Sequence, residues 1–461
     1  MSNLEIFDAF KQEVFATLPM QGEKEALAML DKAHQLYSDR DAWLPVPQRI
    51  AILEKTLELI KEKAEDLILE ATEEGGKPYV DSKVEIDRGI DGIKIALKEL
   101  SHLKGTEVPM GVSASSANRM AYTRREPRGV VLAISAFNHP FNLIIHQVIP
   151  AIAVGCPVII KPAMTTPLSC RNLVTILEEA GLPEGWCQML MCENEVAEKV
   201  LTDPRISFLT FIGSAKVGWY LRSKLPPGAG CALEHGGAAP VIFDETADIA
   251  KSIPLLVKGG FYHAGQVCVS VQRLYLHESI EGKFIDPFLE AVKKLKVGDP
   301  TQKDTDVGPL ILPKEVDRVH TWVEEAVSGG GKLLCGGEKI SDTCYAPTVI
   351  LNPPEDCQLS TNEVFGPVVC IYTYKDRNEA IKRANSLDYG FQAAVFTKDL
   401  DVALDTAKRL EGLAVMVNDH TAFRVDWMPF GGYKQSGLGV GGIGYTMHDL
   451  TLEKMIVFNT A

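Results

Sequence analysis

The sequence lacks the features of a membrane, secreted or nucleic-acid-binding protein. It has no apolar run of about 18 residues, so no transmembrane helix is expected. The start, from Met1 to Phe7, has no basic segment followed by an apolar one, so no signal peptide is expected and a cytoplasmic location is predicted. The formal net charge of −14 argues against nucleic acid or an anionic membrane as the main partner.

Cysteine patterns typical of disulfides or metal sites are also absent. The ten cysteines in the 461 residues form no CxxC pair, and no group of Cys and His has zinc-finger spacing. The sequence therefore predicts no metal site and, without a signal peptide, no disulfide framework. Most of these thiols are expected to be small buried side chains.

Repeats and low-complexity segments are absent too, and the remaining pattern is that of an α/β protein of about three domains. Residues 21–100 predict amphipathic helices. From Gly129, short apolar segments alternate with helical ones, which indicates parallel sheets covered on both faces. The predicted strands are 130–136, 158–161, 187–191, 208–211 and 232–234, then 241–244, 274–277, 348–351 and 368–372.

Two further segments are predicted to be extended. Residues 108–128 look like a polar hairpin that protrudes from the core. The tail, 454–459, predicts a strand with no obvious partner nearby in the sequence. A terminal strand of this kind often pairs across a subunit interface.

One cysteine has a distinctive setting. Cys268 follows a Gly265-Gln266 turn among apolar neighbours and precedes a predicted strand, so its thiol is predicted to be a nucleophile. Upstream, Glu234 lies among small and apolar residues. Burial raises the pKa of such a carboxylate towards the range of a general base, which favours Glu234 as the proton-handling partner. A loop-capping carboxylate is the alternative interpretation.

Other polar residues follow predicted strands, where the ligands of parallel sheets bind. Asn138 is a candidate donor to an oxyanion, with a bond to its own loop as the alternative. Lys161 ends a strand and is a candidate for ribose or phosphate. Gly213 and Ser214 begin a helix whose free N–H groups suit a pyrophosphate, although the segment matches neither GxGxxG nor the P-loop. A carboxylate and a ring at the mouth of another strand suit a ribose and a flat ring, or a simple turn: Glu363 and Phe365.

Together and in this order, these motifs resemble the aldehyde dehydrogenase superfamily over nearly the whole chain. The pattern is nearest to that of lactaldehyde and non-phosphorylating glyceraldehyde-3-phosphate dehydrogenases. The segments that carry the resemblance are EPRGVVLAI (126–134), NHP (138–140), KP (161–162), FIGS (211–214), EHGG (234–237), GQVC (265–268), EVFGP (363–367), PFGGYK (429–434) and SGLG (436–439).

The resemblance implies a reaction and a cofactor. Cys268 would be the nucleophile, Asn138 an oxyanion donor and Glu234 the base that activates water to hydrolyse a thioester. Met164 stands where the family often has a glutamate that grips the adenosine ribose, so the cofactor is NAD or NADP. His235 and Ile212 also depart from the family pattern, with effects that the sequence does not predict. The residues implied to contact the cofactor are Lys161, Met164, Gly213, Ser214, Glu363 and Phe365.

The resemblance also implies a domain organisation. A Rossmann-like dinucleotide-binding domain would comprise 1–110 and 127–234, and a second α/β catalytic domain would comprise 235–418. A small β oligomerisation arm would combine 111–126 with 446–461, in a homodimer or homotetramer. A return segment, 419–445, would line the substrate tunnel.

The return segment supplies the substrate hypothesis. Arg424 is a candidate to pair with the carboxylate or phosphate of a short lactaldehyde-, semialdehyde- or glyceraldehyde-3-phosphate-like substrate. A bond from Arg424 to Asp426 or to a subunit neighbour is the alternative. Two rival functions stay open, a CoA-acylating dehydrogenase and a catalytically silent dinucleotide-binding protein. The other candidate substrate residues are Phe141, Phe423 and Trp427.

Overall fold

Two mainly parallel β-sheets and one small antiparallel sheet organise the molecule, which the computed structural model describes over residues 3–460. The strands are β1 (Asn3–Phe7), β2 (Val14–Pro19), β3 (Glu107–Val108), β4 (Arg119–Pro127), β5 (Val130–Ile134), β6 (Val158–Lys161), β7 (Cys187–Met189), β8 (Ile206–Ile212), β9 (Gly230–Glu234), β10 (Ala239–Phe243), β11 (Val271–His277), β12 (Lys332–Cys335), β13 (Thr348–Leu351), β14 (Val368–Tyr374), β15 (Tyr389–Gly390), β16 (Gln392–Phe396), β17 (Ala414–Val417), β18 (Tyr433–Lys434), β19 (Gly437–Leu438) and β20 (Thr451–Asn459).

Helices connect and cover these strands. They are α1 (Glu23–Ser38), α2 (Val46–Glu62), α3 (Ala64–Gly75), α4 (Tyr79–Glu99), α5 (Asn142–Val154), α6 (Leu168–Glu179), α7 (Asn194–Leu201), α8 (Ala215–Ser223), α9 (Ile249–Phe261), α10 (Glu281–Lys293), α11 (Pro313–Ser328), α12 (Gln358–Thr361), α13 (Arg377–Ala384), α14 (Leu400–Arg409) and α15 (Ile443–Asp449). Within residues 3–460, none of them is long and apolar enough to cross a membrane.

The first sheet has six strands in the order β19-β9-β8-β5-β6-β7. Its strands pair in parallel except β19, which runs antiparallel to β9. The central strands β5 and β6 are almost entirely apolar and buried, because helices cover both faces of the sheet. This architecture confirms the predicted α/β class with a Rossmann-like parallel sheet.

The second sheet has seven strands in the order β12-β13-β14-β11-β10-β16-β17. Only the edge strand β12 is antiparallel among its described pairs. The predicted strands of this region correspond to β10, β11, β13 and β14. β16 (Gln392-Ala-Ala-Val-Phe396) was not predicted. It is short, and the small side chains of its two alanines hide the alternation that marks a strand.

Close packing of α4 against α5 brings helix residues to the ends of the first sheet. A Cβ on Gly89 would lie 2.9 Å from the ring of Phe141, so glycine lets the two helices approach. The buried carboxylate of Glu85 accepts the N–H groups of Phe141 and Asn142 at 2.9 Å each and caps the N-terminus of α5. Lys77 pairs with the same carboxylate.

The third sheet contains the tail strand and the extended segment before Pro127, the two segments that the resemblance assigned to one arm. β20 pairs antiparallel with β4 of the same chain along its whole length, in the order β20-β4-β3. The tail strand is therefore not an orphan, and the extended segment before Pro127 is one long strand that pairs with β20 and with the two-residue strand β3. The N-terminal hairpin of β1 and β2 was not predicted.

Candidate active site

A cavity of about 410 Å³ lies where the strands of the first sheet end. β5 leads into the wall at 135–139, β8 is followed by Gly213 and Ser214, and β9 ends at Glu234. The segment after α9 contributes Cys268 to the opposite wall. The predicted residues that line this cavity are Asn138, Gly213, Ser214, Glu234, Cys268, Glu363, Phe365 and Arg424.

The backbone before Cys268 makes an unusual turn. His263, Ala264 and Gly265 have φ angles of 49°, 54° and 71°, all in the left-handed region. A Cβ on Gly265 would lie 2.1 Å from the carbonyl oxygen of Gly366, so only glycine fits that position. The turn carries the chain from the end of α9 to the cavity wall, where it presents the cysteine.

Hydrogen bonds of the Gln266 side chain hold the turn in place. Its Oε1 accepts the N–H of Ile311 at 2.9 Å, and its Nε2 donates to the carbonyl of Pro309 at 3.2 Å. Its own carbonyl accepts Nδ2–H of Asn138 at 2.9 Å. Asn138 therefore ties the end of the first sheet to the cysteine turn, and an amide NH₂ keeps a second proton for another acceptor.

The thiol of Cys268 is protonated in its resting environment. Burial raises its pKa well above the usual value, and the nearby carboxylates of Glu234 and Glu363 raise it further. The Arg424 guanidinium opposes this shift. The thiol therefore needs a base before it can attack an electrophile.

Glu234 is placed to be that base. Burial raises the pKa of its carboxyl group, while Arg424 lowers it. Nη1 of Arg424 lies 3.8 Å from Oε1 of Glu234. The Glu234 backbone carbonyl accepts the N–H of Gly213 at 3.0 Å, which joins the end of β9 to the start of α8.

Arg424 is a buried and incompletely paired cation. Its guanidinium carbon lies 3.5 Å from the centre of the Phe430 ring, and Nη2 donates to Nδ1 of His146 at 3.4 Å. Its Nε is buried and has no hydrogen-bond partner within the described residues 3–460. The cavity therefore contains positive charge that its protein neighbours neutralise only in part.

Asp426 binds other partners, so the alternative in which it pairs with Arg424 does not hold. Its carboxylate accepts from Nη2 and Nε of Arg88 at 2.7 and 3.1 Å, and it lies 2.7 Å from Nε2 of His146. Because Nδ1 of His146 accepts from Arg424, Nε2 carries the ring proton and donates to Asp426. Burial lowers the pKa of His146 to about 4, so its ring is neutral.

The cofactor side of the cavity is built from glycines around a buried carboxylate. A Cβ on Gly236 would lie 1.7 Å from Oε1 of Glu363, and one on Gly213 would lie 2.7 Å from the Phe211 ring. Burial raises the pKa of Glu363 to about 8. A dinucleotide fits between these groups. The glycines leave room for it, and the N-terminus of α8 at Ser214 and the carboxyl group of Glu363 offer polar contacts.

Two predicted cofactor residues stand next to the cavity. Lys161 ends β6 with its side chain buried, and burial lowers its pKa. Met164 is half-buried in the following loop. Between them, Ala163 lines the cavity.

Three of the predicted substrate residues lie elsewhere. Phe141 is fully buried in the core between α4 and α5, so its assignment to the tunnel is corrected. Phe423 and Trp427 are 42% and 65% exposed and are not part of the cavity wall. Their apolar character suggested a tunnel, but the loop from 419 to 428 turns only Ala422 and Arg424 towards the cavity.

The cavity also contains polar residues that the sequence analysis missed. Arg88 reaches it from the middle of α4, and His139 and Tyr262 share a contact of 3.1 Å between Nε2 and the hydroxyl. The only signal for Arg88 was a charged residue beside the apolar stripe of a predicted helix. An apolar stripe on a helix indicates a packing face and gives no sign of a site.

Comparison with known proteins places the chain in a family. It matches the model of the aldehyde dehydrogenase family over residues 2–456. It is 39% identical over 416 residues to a 3-sulfolactaldehyde dehydrogenase of Priestia aryabhattai, which covers 89% of this chain and 86% of the relative. It is 37% identical over 465 residues to a lactaldehyde dehydrogenase of Methanocaldococcus jannaschii, which covers 99% and 97%.

Solved structures that resemble this chain are also named as dehydrogenases. Aldehyde dehydrogenase 21 of Physcomitrella patens, in complex with the reaction product succinate, superposes with a TM-score of 0.96 at 37% identity, covering 100% of this chain and 95% of that one. A glyceraldehyde-3-phosphate dehydrogenase of Methanocaldococcus jannaschii, complexed with NADP, gives 0.94 at 36% identity and covers 99% of each chain.

Proposed function

The chain belongs to the aldehyde dehydrogenase family, and from this premise we propose that it oxidises a short anionic 2-hydroxy aldehyde to its carboxylic acid with NAD or NADP. The observation that carries the proposal is the convergence of Cys268, Asn138, Glu234 and Arg424 on one buried cavity. A nucleophile, an oxyanion donor, a base and a cation are the groups that this reaction requires.

The first half of the reaction forms a bond to sulfur. Glu234 accepts the thiol proton, because burial raises the pKa of its carboxyl group and so makes it a stronger base. Sγ of Cys268 adds to the aldehyde carbon, and the carbonyl electron pair moves to oxygen. The free N–H of Asn138 donates to that oxyanion, and one such donor is worth about 3 kcal/mol of barrier.

The second half releases the acid. Gly213, Ser214 and Glu363 would hold NAD(P)⁺, which would supply an acceptor for the hydride of the adduct. Loss of that hydride leaves an acyl thioester on Cys268. Glu234 releases the thiol proton to solvent and then removes a proton from water, whose oxygen adds to the acyl carbon; the departing sulfur takes this second proton from Glu234. The C–S bond breaks, and the carboxylic acid and the free cysteine are released.

Arg424 supports an anionic substrate. A buried guanidinium with an unpartnered Nε offers a hydrogen bond and a charge to a carboxylate, sulfonate or phosphate. The relatives named for 3-sulfolactaldehyde, lactaldehyde and glyceraldehyde-3-phosphate all take 2-hydroxy aldehydes, and two of these substrates are anionic.

The experiment follows reduction of NAD and NADP with a panel of four aldehydes. We expect kcat/KM to be highest for 3-sulfolactaldehyde or glyceraldehyde-3-phosphate, lower for succinate semialdehyde, which lacks the hydroxyl, and lower for lactaldehyde, which lacks the anion. Cys268→Ala should abolish turnover and retain dinucleotide binding by calorimetry. Turnover by that variant would contradict the role of the cysteine, and a preference for lactaldehyde would contradict the role of Arg424.

The rival functions make different predictions. A CoA-acylating enzyme needs no hydrolytic base, so Glu234 on the cavity wall favours water as the acyl acceptor. Formation of acyl-CoA on addition of CoA would reverse this assignment. Because the chain belongs to a family of dehydrogenases and carries all three reacting groups, the silent-protein alternative has no support.

The oligomeric state and the cellular location are separate proposals. We propose that an arm composed of β3, β4 and β20 joins subunits into a homodimer or homotetramer. The exposed apolar side chains Met455, Val457 and Phe458 on β20 support this proposal. The two predicted domains around the parallel sheets and the cytoplasmic location stay predictions.

A further inference from the structure

We propose that His235 is a positioning residue, which sets the distance between the cofactor-binding helix α8 and the strand that carries Glu234. The proposal rests on the proposed function, because it concerns affinity for a dinucleotide. His235 directly follows the base and lines the cavity. Its identity is also one of the departures from the family pattern to which the sequence assigned no effect.

One hydrogen bond fixes the tautomer of the imidazole, and a second holds the backbone of His235. Nδ1 lies 2.8 Å from the carbonyl oxygen of Gln435, and the His235 backbone N–H donates to the carbonyl of Ser436 at 3.0 Å. A carbonyl oxygen only accepts, so the ring proton is on Nδ1 and Nε2 is a bare acceptor. Burial lowers the pKa of His235, so the ring is neutral.

The bare nitrogen faces α8. Nε2 is buried and has no hydrogen-bond partner among the residues that the structure describes. A Cβ on Gly218 would lie 1.9 Å from it, which is far inside contact distance. The rings of Phe211 and Trp219 meet the imidazole edge-on, at 5.9 and 5.5 Å between centroids. The helix therefore packs on the ring more closely than any residue except glycine would allow at 218.

The position of α8 matters because its start forms part of the cofactor cradle. Gly213, Ser214 and Val217 line the cavity, and the N–H groups of the first turn of a helix are free to bind a phosphate. The N–H of Gly213 donates to the Glu234 carbonyl at 3.0 Å. A displacement of α8 away from His235 would thus move both the anion-binding turn and the backbone of the base.

A double-mutant cycle tests the contact between His235 and Gly218. We expect Gly218→Ala to weaken NADP and NAD binding by about tenfold, since residues in direct contact are energetically coupled. In a His235→Ala background, where the methyl group can occupy the space of the ring, the same change should cost less than about twofold. Calorimetric titration of each purified variant measures the affinities. Gly282→Ala is the matched control, because this glycine is also helical and its Cβ would meet open space.

Kinetics separate positioning from general damage. In Gly218→Ala, the KM for the dinucleotide should rise by a larger factor than kcat falls, with the KM for the aldehyde changed least. The proposal is overturned if Gly218→Ala costs the same in both backgrounds, or if it leaves dinucleotide affinity unchanged. Failure of the proposed function would appear instead as absence of aldehyde oxidation by the wild-type enzyme, which leaves the calorimetric cycle interpretable.

Discussion

At the scale of single residues, Arg424 affects the acidity of the nucleophile, apart from its proposed role in binding a substrate anion. Its charge lowers the pKa values of Cys268 and Glu234, against the larger effect of burial. In Arg424→Gln, both pKa values should rise, so a smaller fraction of the thiol is ionised at a given pH. In the profile of kcat/KM against pH, we expect the rising limb to shift to higher pH by on the order of one unit.

Lactaldehyde is the substrate for this measurement, because a neutral aldehyde separates the effect on the thiol from loss of anion binding. Arg119→Gln, on the exposed end of β4, is the control for loss of one positive charge. A limb that stays in place in Arg424→Gln would show that the guanidinium does not act on the thiol.

We predict that cofactor preference depends on Met164. It is half-buried in the loop after Lys161, where a carboxylate would repel the 2′-phosphate of NADP. Met164→Glu should lower kcat/KM with NADP by about tenfold, which corresponds to roughly 1.4 kcal/mol, and change the value with NAD far less. Met164→Gln, of similar size and without the charge, separates repulsion from lost packing. Equal losses with both cofactors in Met164→Glu would contradict the prediction.

Sequence predicted the site best where residues follow strand ends. Asn138, Glu234 and Ser214 all stand at such positions, and parallel strands bring their carboxyl ends to one edge. Arg88 was missed, because its approach to the cavity depends on how α4 packs against α5. Phe141 was placed wrongly for the same reason, since its ring fills the contact at Gly89. Contacts between helix faces leave no local signal in one sequence.

At the scale of elements, two buried glutamates cap the helices that follow β5 and β6. Glu85 caps α5, and Glu74 accepts the N–H groups of Leu168 and Ser169 at 2.7 and 2.9 Å at the start of α6. Burial nevertheless raises the pKa of Glu74 to about 8. The cap is therefore mostly protonated at neutral pH. Because glutamine has one acceptor oxygen where Glu74 uses two, Glu74→Gln should lose one of the two N–H bonds at every pH.

The raised pKa gives this cap a defined pH dependence. A group with a raised folded-state pKa contributes stability that is present below its unfolded value, near 4.5, and is lost as pH rises through about 8. The melting temperature of the wild type minus that of Glu74→Gln should thus fall between pH 5 and pH 9, since glutamine does not titrate. Glu73→Gln, next to it on α3, is the control. A difference that rises with pH would show that the cap is ionised.

Elements were predicted well where composition distinguishes them. The apolar strands β5, β6 and β8 have flanking turn signals, and each was found within a few residues. β16 and the N-terminal hairpin were missed, because the first is short with small side chains and the second is mostly exposed. β20 was predicted as a strand, but its partner β4 lies more than 300 residues away in the sequence. The alternation of apolar and polar residues marks a strand and does not identify its partner.

At the scale of the whole molecule, the arm is the part whose surface does not suit an isolated chain. β20 is exposed along most of its length, and its pairing with β4 leaves Leu452, Met455, Val457 and Phe458 in contact with solvent. A three-stranded sheet with apolar side chains on its surface is typical of an interface. The domain assignment itself stays a proposal, but this surface makes assembly directly testable.

Charges introduced on one face of β20 should weaken assembly without unfolding the chain. Met455 and Val457 are two residues apart, so their side chains share a face, and they are 55% and 44% exposed. Met455→Lys with Val457→Lys would place like charges opposite each other in any symmetric contact. We expect the dissociation constant to rise at least about tenfold, or 1.4 kcal/mol, and the melting temperature of the monomer to change little.

Light scattering after size-exclusion chromatography measures the mass of the assembly across a dilution series. Leu400→Lys is the matched control, because this leucine on α14 is 71% exposed and lies outside the arm. If the double variant keeps the mass of the wild type at every concentration while Leu400→Lys lowers it, the interface lies at α14 and not at the arm. Loss of mass in the double variant alone assigns the arm to assembly, because Leu400→Lys also places a charge on an exposed apolar position.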